Sequence, residues 1–117
     1  MCRNILVVDD NRDAADTLAT ILRLVGHDAR VAYGGRDAIA ELLERPADVV
    51  FIDLAMPSIS GLDLLRELRD LPGMANAKLI CLTGFGDEDH RKQAQACGCD
   101  AYLIKPAHLA EVNAVLS

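Results

Sequence analysis

Aromatic side chains are scarce in this 117-residue sequence, only 3% of it. That is too few to build a stacking platform for bases or a cage around a large planar ligand. Clustered positive charge is missing as well. Twelve basic against eighteen acidic residues leave a net charge of −6, whereas a nucleic-acid surface needs a Lys/Arg stripe, so direct DNA or RNA binding is not expected. No apolar run approaches the roughly 20 residues that span a bilayer, and no signal peptide opens the chain. A soluble, cytoplasmic protein without a membrane partner is the expectation. There is no internal repeat, low-complexity tract or glycine-rich nucleotide loop. His27, His90 and His108 fall away from the ends of the apolar runs, which argues against a nucleophile–His–Asp hydrolase and makes all three solvated surface groups.

The four cysteines, Cys2, Cys81, Cys97 and Cys99, have neither zinc nor redox-pair spacing. The one-residue gap in Cys97-Gly98-Cys99 has no histidine motif to complete it. They read as reduced thiols acting as small apolar residues.

What the chain has is apolar residues in short, regularly spaced runs. At 51% apolar it should form a compact globule, and its length suits one domain over residues 1–117. Ile5–Val8, Val49–Ile52, Leu79–Leu82 and Ala101–Ile104 are continuous apolar segments, as expected of strands buried on both faces. A shorter alternating strand carries Ala29 and Val31 and breaks at Gly34-Gly35. Helical spacing follows each: Ala14 to Val25 after an Asn11 cap, with Gly26 as the stop; Ala38 to Leu43, ended before Pro46. A third helix carries Leu62, Leu64, Leu65 and Leu68 behind a Ser60 cap, and ends at Leu71-Pro72-Gly73. A fourth starts at Asp87-Glu88-Asp89 and runs through Ala94 and Ala96 to about Cys97; a fifth spans Leu109 to Leu116. Five strands alternating with five helices imply a doubly wound five-stranded parallel sheet of flavodoxin type, order 2-1-3-4-5, covered on both faces.

In that order the winding reverses between the first and third strands, which end in Asp9-Asp10 and Asp53. The fourth strand ends in Thr83 and the fifth in Lys105. Any one of these polar ends is unremarkable, but one edge of a parallel sheet collects them all. Three close carboxylates repel one another unless a cation joins them, and oxygen ligands of this kind suit Mg²⁺. Lys105 adds a second positive charge and Thr83 a hydrogen-bond donor. The set fits a pocket for a dianionic group, with Asp53 as the acceptor in phosphoryl transfer.

Asp9-Asp10, Asp53 with Met56-Pro57 and Gly61, Thr83, and Lys105-Pro106 resemble the receiver domains of two-component response regulators, across essentially the whole chain. The resemblance implies that Asp53 takes its phosphoryl group from a phosphohistidine of a histidine kinase or histidine phosphotransfer domain. It implies Mg²⁺ held by Asp10 and Asp53, by Asp9 through water, and by the backbone carbonyl of Ala55. Lys105 would pair with Asp53 when empty and with phosphoryl oxygens when loaded, and the Lys105-Pro106 peptide would be cis. Thr83 would move toward the phosphoryl group and Tyr102 would swing inward behind it. The surface of the fourth helix, fifth strand and fifth helix would then signal to a downstream protein or fused domain. A monomer or weak dimer, catalysing only its own phosphorylation and dephosphorylation, is expected.

Ser60 replaces an acid often found before Gly61, which changes only a cap. Ala55 and Phe85 stand at positions flanking the line of water attack. Neither can orient a water, so slow loss of the phosphoryl group is expected. The Leu82-Thr83-Gly84-Phe85-Gly86 stretch is similar to receivers fused to hybrid histidine kinases. Three alternatives fit less well. An aspartyl-phosphate phosphatase of the haloacid dehalogenase type needs an acid where Ala55 stands. A flavodoxin-like cofactor binder needs aromatic loops. A receiver fold that only docks partners would not need the intact acid, threonine and lysine set.

Overall fold

The apolar runs become strands and the helically spaced segments pack across them. A computed structural model describes residues 3–54, 61–84, 88–96, 98–105 and 107–116. In chain order they form β1 (Asn4–Val8), α1 (Arg12–Leu24), β2 (Asp28–Ala32), α2 (Gly35–Glu44), β3 (Val49–Asp53), α3 (Gly61–Asp70), β4 (Lys78–Thr83), α4 (Glu88–Ala96), β5 (Ala101–Ile104) and α5 (Leu109–Leu116). All strand pairs are parallel and the order is β2-β1-β3-β4-β5, as the alternation predicts.

Successive residues of a strand point to opposite faces, and the core divides accordingly. Leu6, Val8, Val50, Ile52, Leu79 and Cys81 meet Ala38 and Leu42 of α2 and Leu64, Leu65 and Leu68 of α3. Ile5, Val7, Val49, Phe51, Ile80 and Leu82 meet Ala15, Ala19 and Leu22 of α1 and Val112 and Leu116 of α5. Every residue of β3 is buried, Asp53 included. The strand is central in the sheet, so its terminal carboxylate is held on a stiff support.

Several local expectations change. The strand ends at Ala32, just before Gly34-Gly35 as expected, but Gly35 also opens α2, with Gly34 as an extended N-cap. His27 is not a free surface group: its Nδ1 accepts the backbone N–H of Arg3 at 3.1 Å, because the turn after α1 folds it against the start of β1. Ala96, counted as an inward position of the fourth helix, is exposed. Cys81 and Cys99 are thiols buried within the core, not joined as a disulfide, and Cys99 adds to its packing a hydrogen bond from Sγ to the Ala101 carbonyl at 2.6 Å. Cys2 and Cys97, the Ser60 cap, and the Lys105-Pro106 peptide geometry involve positions outside the described residues.

Arg69 organises the loops at the amino end of the sheet. Its guanidinium donates to the carbonyls of Ala77 at 2.6 Å and Gly98 at 2.8 Å and to Asp100 Oδ2 at 2.8 Å. Asp100 Oδ2 also accepts the N–H of Leu79. One α3 side chain thus ties the α3–β4 loop to the entry of β5. Gly73, in the same loop, has φ +81, and a Cβ there would sit 2.7 Å from the Pro46 ring. A side chain is excluded on both counts.

Candidate functional site: an acidic pocket bridged by lysine

Asp9 follows β1 directly, and its backbone N–H donates to the Ala32 carbonyl at 3.1 Å, which extends the β1–β2 pairing. Asp53 ends β3 in register with Leu82. The next two bonds, Leu54 N–H to Leu82 O at 3.0 Å and Lys105 N–H to Thr83 O at 2.7 Å, carry the ladder past the strand ends. The sheet's own hydrogen bonding therefore fixes where the acids and the lysine stand.

Lys105 Nζ lies 2.7 Å from Asp9 Oδ2 and 3.0 Å from Asp53 Oδ2. The receiver-domain resemblance pairs Lys105 with Asp53; the fold makes it a bridge, and its shorter contact is to Asp9. Asp9 is 2% exposed and Asp53 6%, so two almost fully buried acids share one ammonium. One carboxylate oxygen each from Asp9, Asp10 and Asp53 lies within 4.8 Å of the others. Asp10 is exposed, unlike its two neighbours.

Burial raises the Asp9 pKa, working against the lysine and the Asn11 N–H, which favour the carboxylate; the nearby Asp53 raises it further. Burial pulls the Lys105 pKa down, but the hydrogen bonds to Asp9 and Asp53 more than offset this and the net direction is up. A bridging cation between buried acids should respond in this way. The ammonium is the countercharge that makes burying the acids tolerable.

Thr83 is fully buried at the end of β4. By strand alternation it shares the face of Cys81, whose register partner is Tyr102. Tyr102 is half-buried and packs against the α2–α3 side of the core. The proposed switch pair therefore lies on one face of two adjacent strands. Ala55 and Phe85 lie outside the described residues. Two contacts were not foreseen: Lys105 on Asp9, and the Asn11 N–H on Asp9 Oδ1 at 3.0 Å. The first depends on tertiary placement. The second was half visible, because Asn11 reads as a helix cap two residues after an acid.

The donor set suits a hard divalent cation: three carboxylate oxygens, one of them from the exposed Asp10. Beside it, the Lys105 ammonium contacts the Asp53 carboxylate.

Fold and site together define an open parallel α/β sheet with a lysine-bridged acidic pocket at the carboxyl ends of its strands. Residues 5–117 match the response regulator receiver domain model, and the chain belongs to that family. It is 31% identical over 104 residues to the phosphate regulon transcriptional regulatory protein PhoB of Pseudomonas aeruginosa. That match takes in 89% of this chain but 45% of the relative, so the chain spans about half the length of that curated protein. A response regulator from Burkholderia pseudomallei, solved with a phosphorylated aspartic acid, calcium ion and citrate, superposes with a TM-score of 0.91 at 34% identity. The match covers 98% of this chain and 66% of that one. The Vibrio cholerae chemotaxis protein CheY4 superposes with a TM-score of 0.93 over 99% of this chain and 97% of its own, and at 22% identity it speaks for the fold alone.

Proposed function

We propose that Asp53 is the phosphoacceptor of this receiver domain and that residues 1–117 act as one such unit in a two-component phosphorelay. The observation that carries this is the Lys105 ammonium seated between the buried Asp53 and Asp9 in a three-carboxylate cluster completed by the exposed Asp10. The phosphorylated aspartic acid in the Burkholderia pseudomallei relative supports it.

In the transfer, an Asp53 carboxylate oxygen attacks phosphorus, an O–P bond forms, and the N–P bond of a phosphohistidine breaks as imidazole leaves. Catalysis of this kind rests on positioning and on neutralising charge. Stiff β3 supplies the first. Lys105, already 3.0 Å from Asp53 Oδ2, transfers its contact to the phosphoryl oxygens and supplies part of the second. Asp10 and Asp53 would hold Mg²⁺, with Asp9 acting through water and the Ala55 carbonyl as a further ligand. The ion, when bound, supplies the rest of the neutralisation. Thr83 donates to a phosphoryl oxygen, and Tyr102 moves into the space behind it. The chain accelerates only its own phosphorylation and dephosphorylation. Its donor is a histidine kinase or phosphotransfer domain, and its readout is a protein contact on the α4–β5–α5 side.

The test is incubation with Mg²⁺ and acetyl phosphate. The expected result is a base-labile mass gain of one phosphoryl group on Asp53, abolished in Asp53→Asn. Labelling of Asp53→Asn at the parental level would refute the assignment. No labelling of the parent would favour a docking module instead.

A further inference from the structure

Asp10 is the least supported member of the acidic cluster. It is exposed, and among the described residues its carboxylate makes no hydrogen bond or ion pair with another side chain. Asp9 differs: Oδ1 accepts the Asn11 N–H at 3.0 Å and Oδ2 takes Lys105 at 2.7 Å, so its carboxylate plane is fixed. Something must still hold Asp10 near the other two acids. Among the described residues its own backbone does so, pinned on either side.

The pin before it is Asp9, through its N–H to Ala32 O. The pin after it is Asn11. There the backbone is extended, φ −79 and ψ 103, and the side-chain Oδ1 accepts the N–H of Ala14 at 3.2 Å. The Asn11 carbonyl takes the N–H of Ala15 at 3.0 Å and begins α1. The capping bond restrains Asn11 in its non-helical conformation. In that conformation the same residue's N–H reaches back to Asp9. One residue therefore closes both: its side chain caps the first turn of α1 and its backbone N–H ties the loop that presents Asp10 to Asp9.

We infer that Asn11 is a positioning residue for divalent-cation binding, acting through the α1 cap to hold the 9–11 loop so that Asp10 stays beside Asp9 and Asp53. The inference rests on the reading of these acids as a metal site. Asn11 itself need not touch the ion. Any residue able to cap should serve, and alanine should not.

The test is a Mg²⁺ titration of the full chain followed by backbone amide NMR, without phosphodonor, on the parent, Asn11→Ala and Asn11→Ser. All are measured well below their melting transitions, so that general destabilisation does not register. Asn11→Ala should raise the Mg²⁺ dissociation constant at least fivefold, and Asn11→Ser should return it to within twofold of the parent. The acetyl phosphate labelling rate at saturating Mg²⁺ should stay within twofold in all three. An unchanged affinity in Asn11→Ala, no recovery with serine, or a loss confined to the saturated rate would each overturn the inference. If the parent itself bound no Mg²⁺, the metal reading would fall, and this inference with it.

Discussion

Lys105 is the residue whose charge state matters most, because it serves two buried acids. Its folded pKa is raised, so the stability it contributes is fully present below the unfolded lysine value of about 10.4 and is lost as pH rises through the folded value. Asp9 is also raised, chiefly by burial. The stability from its protonated form is present below the unfolded carboxylate value and is lost as pH rises through the folded value. At neutral pH the lysine offsets that loss. Lys105→Met should therefore change the shape of the stability profile as well as its height. Urea midpoints would show the variant without the parent's decline above about pH 10.5, and relatively better placed near about pH 5 than near about pH 7. A parent–variant difference that stays constant across pH would show that the bridge carries no such linkage.

At the scale of elements, the carboxyl ends of the strands carry the chemistry and the amino ends carry the fastening. Arg69 reaches from α3 to two loops, and its side chain is only partly exposed, at 26%. Replacing it with methionine keeps much of the apolar stem and leaves the Ala77 and Gly98 carbonyls and Asp100 short of a donor. Loss of charge-assisted bonds of this kind costs about 1.5–3 kcal/mol. Asp100→Asn should cost less, because the asparagine can still accept the Leu79 N–H. The double variant should be less destabilised than the sum of the two, since the residues share a bond. Denaturant unfolding of the four proteins measures this. Strict additivity would mean that the pair is not coupled. Because the fastening lies at the far end of β4 and β5 from Lys105, none of these changes should abolish phosphoryl acceptance.

At the scale of the molecule, the site is a concentration of like charge that folding must tolerate in a chain already at −6. An ion bound only by the folded form adds stability as RT ln(1 + [L]/Kd), about 2.7 kcal/mol at a hundred times Kd. Mg²⁺ should therefore raise the melting temperature progressively, and Asp10→Asn should lose most of that rise while folding normally without metal, since Asp10 is exposed. A calorimetric scan with and without Mg²⁺ would show it. An identical Mg²⁺ shift in Asp10→Asn would remove Asp10 from the ligand set.

Period and punctuation in the sequence determined the element order. Continuous runs such as Val49–Ile52 can satisfy their burial only between two helical layers, and strand–helix alternation then leaves few topologies. The same logic placed Asp9, Asp10, Asp53, Thr83 and Lys105 on one edge, because a parallel sheet puts all its strand ends together. Tertiary structure decided what those side chains do to one another. That Lys105 spans both Asp53 and Asp9 depends on contacts between residues 52 and 96 positions apart in the chain, which no local pattern encodes. His27 against Arg3 and Arg69 across two loops are of the same kind. Asn11 falls between the two cases. Its capping role is local and legible, whereas its hold on the acidic loop appears only once β1 has brought Asp9 against β2 and Lys105.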